Sequence, residues 1–156
     1  MRRFAFFSSV IVTVSTLAGA QTQPSLEGSW LLDKTRSHYP AQSATEVIHQ
    51  HGPAVDISFR ETSPGRPDIA FDLHLTTDAK PTTNTVGANK FTSTTHWDGN
   101  RLVTFVEGDR GQHMTETREL SADGSVLTVT GYHQDELTKP YYVRVMVKTD
   151  APGSKK

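Results

Sequence analysis

The chain has 156 residues, with 16 basic and 17 acidic side chains and no cysteine. The lack of cysteine excludes disulfides and thiolate metal ligands, and the weak charge balance argues against binding to nucleic acid or to an anionic membrane surface. The length fits about one domain that is large enough to bury a core.

The first 20 residues have the pattern of a secretory signal peptide. Residues 2–3 are basic, residues 4–17 are apolar apart from Ser and Thr, and residues 18–20 read Ala-Gly-Ala, which matches a signal-peptidase site. The apolar run is shorter than the ~18 residues expected of a spanning helix. We therefore expect Sec-type export of a bacterial protein that becomes periplasmic or secreted and carries no membrane anchor.

Apolar and polar residues alternate along most of the remaining chain, which predicts strands. Asp98-Gly99 and Asp123-Gly124 lie between such runs and are strong hairpin signals, because both turn positions tolerate positive φ. The nine predicted strands cover residues 26–32, 46–51, 55–60, 69–75, 91–97, 101–107, 113–120, 126–133 and 141–148.

Other segments have weaker patterns. Residues 34–38 could form a short helical turn, and residues 76–89, which are polar and contain Pro81, are compatible with either a loop or a short irregular strand. Residues 151–156 are predicted to be a disordered tail. The folded domain is thus expected within residues 21–150.

Sequential antiparallel strands must bury one face, and they do so as a barrel or as a sandwich. Short hairpin links favour the barrel, so the predicted fold is an all-β, antiparallel up-and-down barrel of about 8–10 strands, in which the first and last strands meet. The interior of such a barrel is either filled or holds one small ligand.

The chain resembles the calycins, the group of lipocalins and fatty-acid-binding proteins, and in particular small exported bacterial proteins of lipocalin-like type. Two motifs carry the resemblance: Gly-Ser-Trp at residues 28–30, and Leu-Ser-Ala-Asp-Gly-Ser-Val-Leu-Thr at residues 120–128. It implies a barrel that can contain an apolar pocket, a basic partner for Trp30, for which Arg118 and Arg144 are candidates, and no enzymatic activity.

The apolar strand faces and one arginine supply the candidate ligand contacts. For the aromatic candidates the alternative is ordinary packing, since only 35% of the chain is hydrophobic and 8% aromatic. Trp30 in particular could instead plug the closed end. The residues predicted to contact a ligand are Trp30, Phe59, Phe71, Phe91, Phe105 and Arg118.

Arg118 shares a strand face with Met114, Glu116 and Leu120. If the two apolar residues point inward, so do the two charges, and a buried arginine needs a partner. Glu116 or the carboxylate of a ligand could fill that role. The alternative is that this face turns outward at its middle.

No catalytic, metal or cofactor site is predicted. His49 and His51 share a strand face, but no third ligand accompanies them, and the motifs of serine hydrolases, zinc proteases and nucleotide-binding proteins do not occur. The leading hypothesis is an exported barrel that binds a small apolar or amphipathic ligand without catalysis. The alternatives are a structural or protein-interaction barrel with a filled core and, less favoured, a barrel enzyme.

Overall fold

The computed structural model describes residues 23–133 and 138–149. The predicted signal peptide and the predicted tail lie outside these residues. Within them, no helix has the length and hydropathy that a membrane span requires.

Ten antiparallel strands form one sheet, in the order β4-β3-β2-β1-β10-β9-β8-β7-β6-β5. β1 pairs with β10, so the first and last strands meet as predicted. The all-β up-and-down barrel is thereby confirmed. The strands are β1 Gly28–Leu32, β2 Ser43–His51, β3 Ala54–Thr62, β4 Ile69–Thr76, β5 Asp78–Val86, β6 Asn89–Asp98, β7 Arg101–Gly108, β8 His113–Leu120, β9 Val126–His133 and β10 Tyr142–Thr149.

β5 is the strand that the sequence pattern left open. It is an edge strand that pairs only with β6, with an irregularity between Asp78 and Pro81 and a positive φ of 60° at Ala79. Proline lacks an N–H, and an edge strand tolerates this because one side of it makes no ladder. The possible helix near residue 35 is a turn, in which the Arg36 N–H donates to the Asp33 carbonyl at 3.3 Å.

The barrel is open between β4 and β5, because no ladder of backbone hydrogen bonds joins these two strands in the described chain. We call this line the β4–β5 seam. The buried amide of Asn84 on β5 bridges it: Oδ1 accepts from the His74 N–H at 2.7 Å and Nδ2 donates to the His74 carbonyl at 3.0 Å. A side chain thus supplies the two bonds that a paired strand residue would make. Thr76 Oγ1 adds a longer bond to the Lys80 carbonyl at 3.4 Å.

The two ends of the barrel differ. The closed end consists of residues 23–27, the link at residue 77 and the hairpins at 52–53, 99–100 and 121–125, and most of the buried apolar side chains lie in this half. The opposite end, which we call the mouth, carries the links at 33–42, 63–68, 87–88 and 109–112. The buried core at and above the closed end includes Leu26, Trp30, Ile48, Val55, Leu75, Leu102, Leu127 and Met146.

Candidate functional site

Four buried charged side chains meet in the middle of the barrel, and we call them the charge cluster: Glu46 on β2, Glu116 and Arg118 on β8, and Arg144 on β10. Arg118 Nε donates to Glu46 Oε1 at 2.9 Å, and Arg118 Nη1 contacts Glu116 Oε1. Arg144 Nη2 donates to Glu116 Oε2 at 2.9 Å, while its Nη1 lies 3.5 Å from Glu46 Oε2. Each arginine therefore contacts both carboxylates.

The opposite charges of the cluster stabilise each other in the ionised form. Burial by itself would raise the pKa of Glu116, but the guanidinium groups of Arg118 and Arg144 outweigh it and lower the pKa below 4.5. Burial likewise opposes the charge on Arg118, yet Glu116 and Glu46 raise its pKa. Paired in this way, charges can stay ionised inside a protein.

Aromatic rings separate the charge cluster from the mouth. The Tyr142 hydroxyl donates to Glu116 Oε2, and the Arg144 guanidinium carbon lies 4.7 Å from the Phe59 ring centroid and 5.4 Å from that of Tyr142, a cation–π arrangement. Gly131 lies opposite Tyr142 in the β9–β10 ladder, and a Cβ added there would overlap the tyrosine ring. The glycine therefore makes room for the ring that covers Glu116.

An apolar cavity of about 170 Å³ lies between the charge cluster and the β4–β5 seam. Glu116 and Arg118 are the only charged residues in its lining within the described chain, and by strand position they lie deeper than the apolar lining on the same strand. We call this space the seam cavity. It is lined by Phe71, Leu73, Leu75, Val86, Phe91, Ser93, Thr104, Val106, Met114, Glu116 and Arg118.

Two open grooves lie at the mouth. One, of about 680 Å³, has Tyr39 and Tyr142 in its lining together with the exposed Ile69 and Tyr141. The Tyr39 hydroxyl donates to Glu61 Oε2 at 2.6 Å. The other, of about 400 Å³, shares three lining residues with the seam cavity, so the two spaces adjoin: Phe91, Val106 and Met114.

Three of the predicted ligand contacts line the seam cavity, namely Phe71, Phe91 and Arg118. Phe59 is buried beside them, with its ring centroid 4.9 Å from that of Phe71, but it lies beneath Arg144 and not in the cavity lining. Of the alternatives for the partner of Arg118, the carboxylates of the chain itself occupy that position.

Trp30 lies in the core and not in the cavity. Its side chain is 1% exposed, and Nε1–H donates to the Leu26 carbonyl at 3.0 Å. Its basic neighbour is Lys148, whose Nζ lies 5.3 Å from the ring centroid, and not Arg118 or Arg144. The reason is the register, which pairs Trp30 directly with Lys148 on β10.

The prediction that Phe105 lines the interior is wrong. Its side chain is 42% exposed and stacks on the ring of His96 on the outside of the barrel. β7 carries apolar residues on both faces, with Leu102 and Val106 inward and Val103 and Phe105 outward. Alternation alone could not identify the inner face of such a strand.

Two members of the charge cluster, Glu46 and Arg144, were missing from the predicted ligand contacts. A signal for both exists in the sequence, since each lies between two less polar residues of the same strand face. On β2, Glu46 lies between the buried residues Ala44 and Ile48. On β10, Arg144 lies between Tyr142 and Met146 on the same face. A charge at such a position means either that the inner face of the strand has been assigned wrongly or that the charge is buried and needs a partner.

The paired histidines lie outside the barrel. The rings of His49 and His51 stack with centroids 6.5 Å apart, and His49 Nδ1 lies 3.0 Å from Glu27 Oε1. In the described ranges no three His, Cys, Asp or Glu side chains are grouped so that they could hold a metal ion.

No protein-family model and no curated protein sequence matches this chain. Solved structures do match. The "REP1-NXSQ fatty acid transporter" aligns over 80% of this chain and 96% of its own, with 17% identity and a TM-score of 0.61. Wild-type "fluorescent protein UnaG" aligns over 80% and 97%, with 19% identity and a TM-score of 0.58.

A third match has the same character. The "Fatty Acid-Binding Protein in Brain Tissue of Drosophila melanogaster" aligns over 79% of this chain and 99% of its own, with 20% identity and a TM-score of 0.51. At such identities the likeness concerns the fold, which is lipocalin-like, of the calycin type, as the sequence resemblance implied.

Proposed function

We propose that this lipocalin-like barrel is a non-catalytic binding protein for a small apolar or amphipathic ligand, one end of which occupies the seam cavity. The observation that carries the proposal is the lining of that cavity, which is apolar toward the mouth and polar only at its deep end. This is the usual composition of a ligand site, in which a few polar groups orient an otherwise apolar molecule. Matching barrels named for fatty acids support it.

The volume of the seam cavity limits what can enter. A cavity of about 150 Å³ in another protein binds benzene, so a space of about 170 Å³ accepts an aromatic ring or a short alkyl chain. A longer ligand would continue past Phe91, Val106 and Met114 into the adjoining groove at the mouth.

A filled structural barrel is the second candidate, and the same volume favours it. Ligand pockets usually reach ~300 Å³ or more, whereas the seam cavity has about 170 Å³ and the charge cluster occupies the middle of the barrel. A binding measurement distinguishes the two candidates, because a filled barrel takes up no apolar probe.

The binding test uses the neutral fluorescent dye prodan and a matched pair of variants on β7. Val106 lines the seam cavity, whereas Phe105 is exposed on the outer face of the same strand. We expect Val106→Trp to weaken prodan binding by about tenfold or more, because the larger indole would occupy the space that the dye needs. Phe105→Trp should bind prodan like the wild type.

Two results would contradict the binding proposal. Equal prodan affinity of both variants would place the dye elsewhere, and a wild-type protein that binds no prodan would favour the filled barrel. Circular dichroism of both variants, recorded beside the titrations, verifies that each one keeps the strand content of the wild type.

We further propose that the protein is exported to the periplasm or beyond, on the basis of the pattern in residues 1–20. Expression of the full chain in a Gram-negative host is expected to yield a mature protein that begins at Gln21, as read by N-terminal sequencing. An intact N-terminus retained in the cytoplasmic fraction would refute export.

A further inference from the structure

The arginines inside the barrel already have anionic partners from the chain itself. Arg118 bonds to Glu46 and contacts Glu116, and Arg144 bonds to Glu116. Two positive and two negative charges therefore add up to zero. Both carboxylates are buried inside the barrel, so an incoming anion cannot displace them into solvent.

A charged ligand would disturb this balance. The carboxylate of a ligand beside Arg118 would be a third anion shared by two guanidinium groups, and an ammonium group would be a third cation. Either one leaves an uncompensated charge in a site from which water is largely excluded, since Arg118 is 2% exposed, and such a charge is strongly disfavoured.

An uncharged oxygen can still be recognised at the same place. A guanidinium group has five N–H donors, and the contacts of Arg118 with Glu46 and Glu116 account for two of them. Ser93 and Thr104 also present hydroxyl groups in the cavity lining. A ligand oxygen can accept from these donors, and a ligand hydroxyl can donate to Glu116.

Resting on the proposed binding function, we infer that the ligand of the seam cavity has a neutral polar end with an acceptor oxygen, such as an alcohol, an ester or an amide, and not a carboxylate. The low pKa of Glu116, which Arg118 and Arg144 maintain against its burial, keeps the cluster balanced at neutral pH. The barrel thus selects ligands by their charge as well as by their size.

The test compares four linear molecules of eight carbons each: octanol, octanamide, octanoate and octylamine. Each competes with prodan for the wild-type protein at neutral pH, where the last two are charged. We expect octanol and octanamide to compete at least about tenfold better than octanoate and octylamine, since one uncompensated charge costs several multiples of RT.

A charge variant gives the second arm of the test. Glu116→Gln leaves one positive charge in excess, so octanoate should bind about tenfold or more tightly than it does to the wild type, while octanol should change little. Glu119→Gln removes the same charge from the exposed outer face of β8 and should alter neither ligand.

The outcomes separate this inference from the proposed function. If neither prodan nor any member of the series binds, the binding function itself is wrong. If all four bind and octanoate equals octanol in the wild type, only the inferred neutral end is wrong. The wild-type series decides this point even if Glu116→Gln does not fold, and Glu46→Gln provides the same excess charge from β2.

Discussion

The substitution Arg118→Met is expected to lower the free energy of unfolding by about 3–5 kcal/mol, the usual cost of removing one partner from a buried ion pair. It leaves the carboxylates of Glu46 and Glu116 to share Arg144, which lies 3.5 Å from Glu46 Oε2. Methionine replaces the aliphatic part of the arginine side chain, so the loss reflects mainly the missing guanidinium group with its charge and hydrogen bonds. Urea unfolding followed by circular dichroism measures it.

Two further variants show whether charge balance is the cause. Glu46→Leu combined with Arg118→Met removes one charge of each sign and keeps the Glu116–Arg144 pair, so it should cost less than Arg118→Met alone. Arg101→Met breaks an exposed pair with Asp98 and should cost under ~1 kcal/mol. Equal losses for Arg118→Met and Arg101→Met would contradict the buried role of the cluster.

Acid provides a second check of the same prediction. Because the pKa of Glu116 is lower in the fold than its ordinary value of 4.5, ionised Glu116 stabilises the native state above that value. This stability is lost as the pH falls through the lowered pKa. In Arg118→Met the carboxylates of Glu46 and Glu116 share a single cation, so the difference in the free energy of unfolding between the wild type and the variant should narrow as the pH falls.

The substitution Trp30→Ala is expected to cost about 3–5 kcal/mol, because it removes a fully buried indole and leaves a cavity. It also leaves the Leu26 carbonyl without the hydrogen bond from Nε1, which is 3.0 Å long. The closed end should loosen first, which hydrogen exchange of the β1 amides would detect. Urea unfolding gives the total loss.

The second tryptophan provides the matched control. Nε1 of Trp97 is buried but makes no hydrogen bond within the described structure. Trp30→Phe should therefore cost about 1 kcal/mol more than Trp97→Phe, the net value of one hydrogen bond. If Trp30→Ala costs less than ~1 kcal/mol, Trp30 does not hold the closed end together.

Local sequence patterns were sufficient for most of the barrel. Asp98-Gly99 and Asp123-Gly124 form tight links in which Gly99 and Gly124 have φ of 63° and 71°, and the runs beside them alternate between the inside and the outside. β5 gave a weaker signal because an edge strand is polar on both faces and tolerates Pro81.

The site was less accessible from the sequence, since its residues are distant along the chain. Glu116 and Arg118 share a strand face, which the pattern of β8 predicts. Their partner Glu46 lies 72 positions before Arg118 and meets it only across the interior of the barrel. No local pattern encodes such a pairing, which depends on how many strands close the ring and on their stagger.

The bridge that Asn84 makes to His74 gives the barrel a preferred direction of expansion. Moving any other two neighbouring strands apart would break a row of backbone hydrogen bonds. Separating β4 from β5 breaks only the two hydrogen bonds of the Asn84 amide and the longer hydrogen bond from Thr76. Each is worth about 1 kcal/mol net. The barrel can therefore widen on the side where Phe71 and Leu73 lie. The size of the largest ligand that fits then depends on how easily β4 and β5 separate, and not only on the volume of the cavity in this structure.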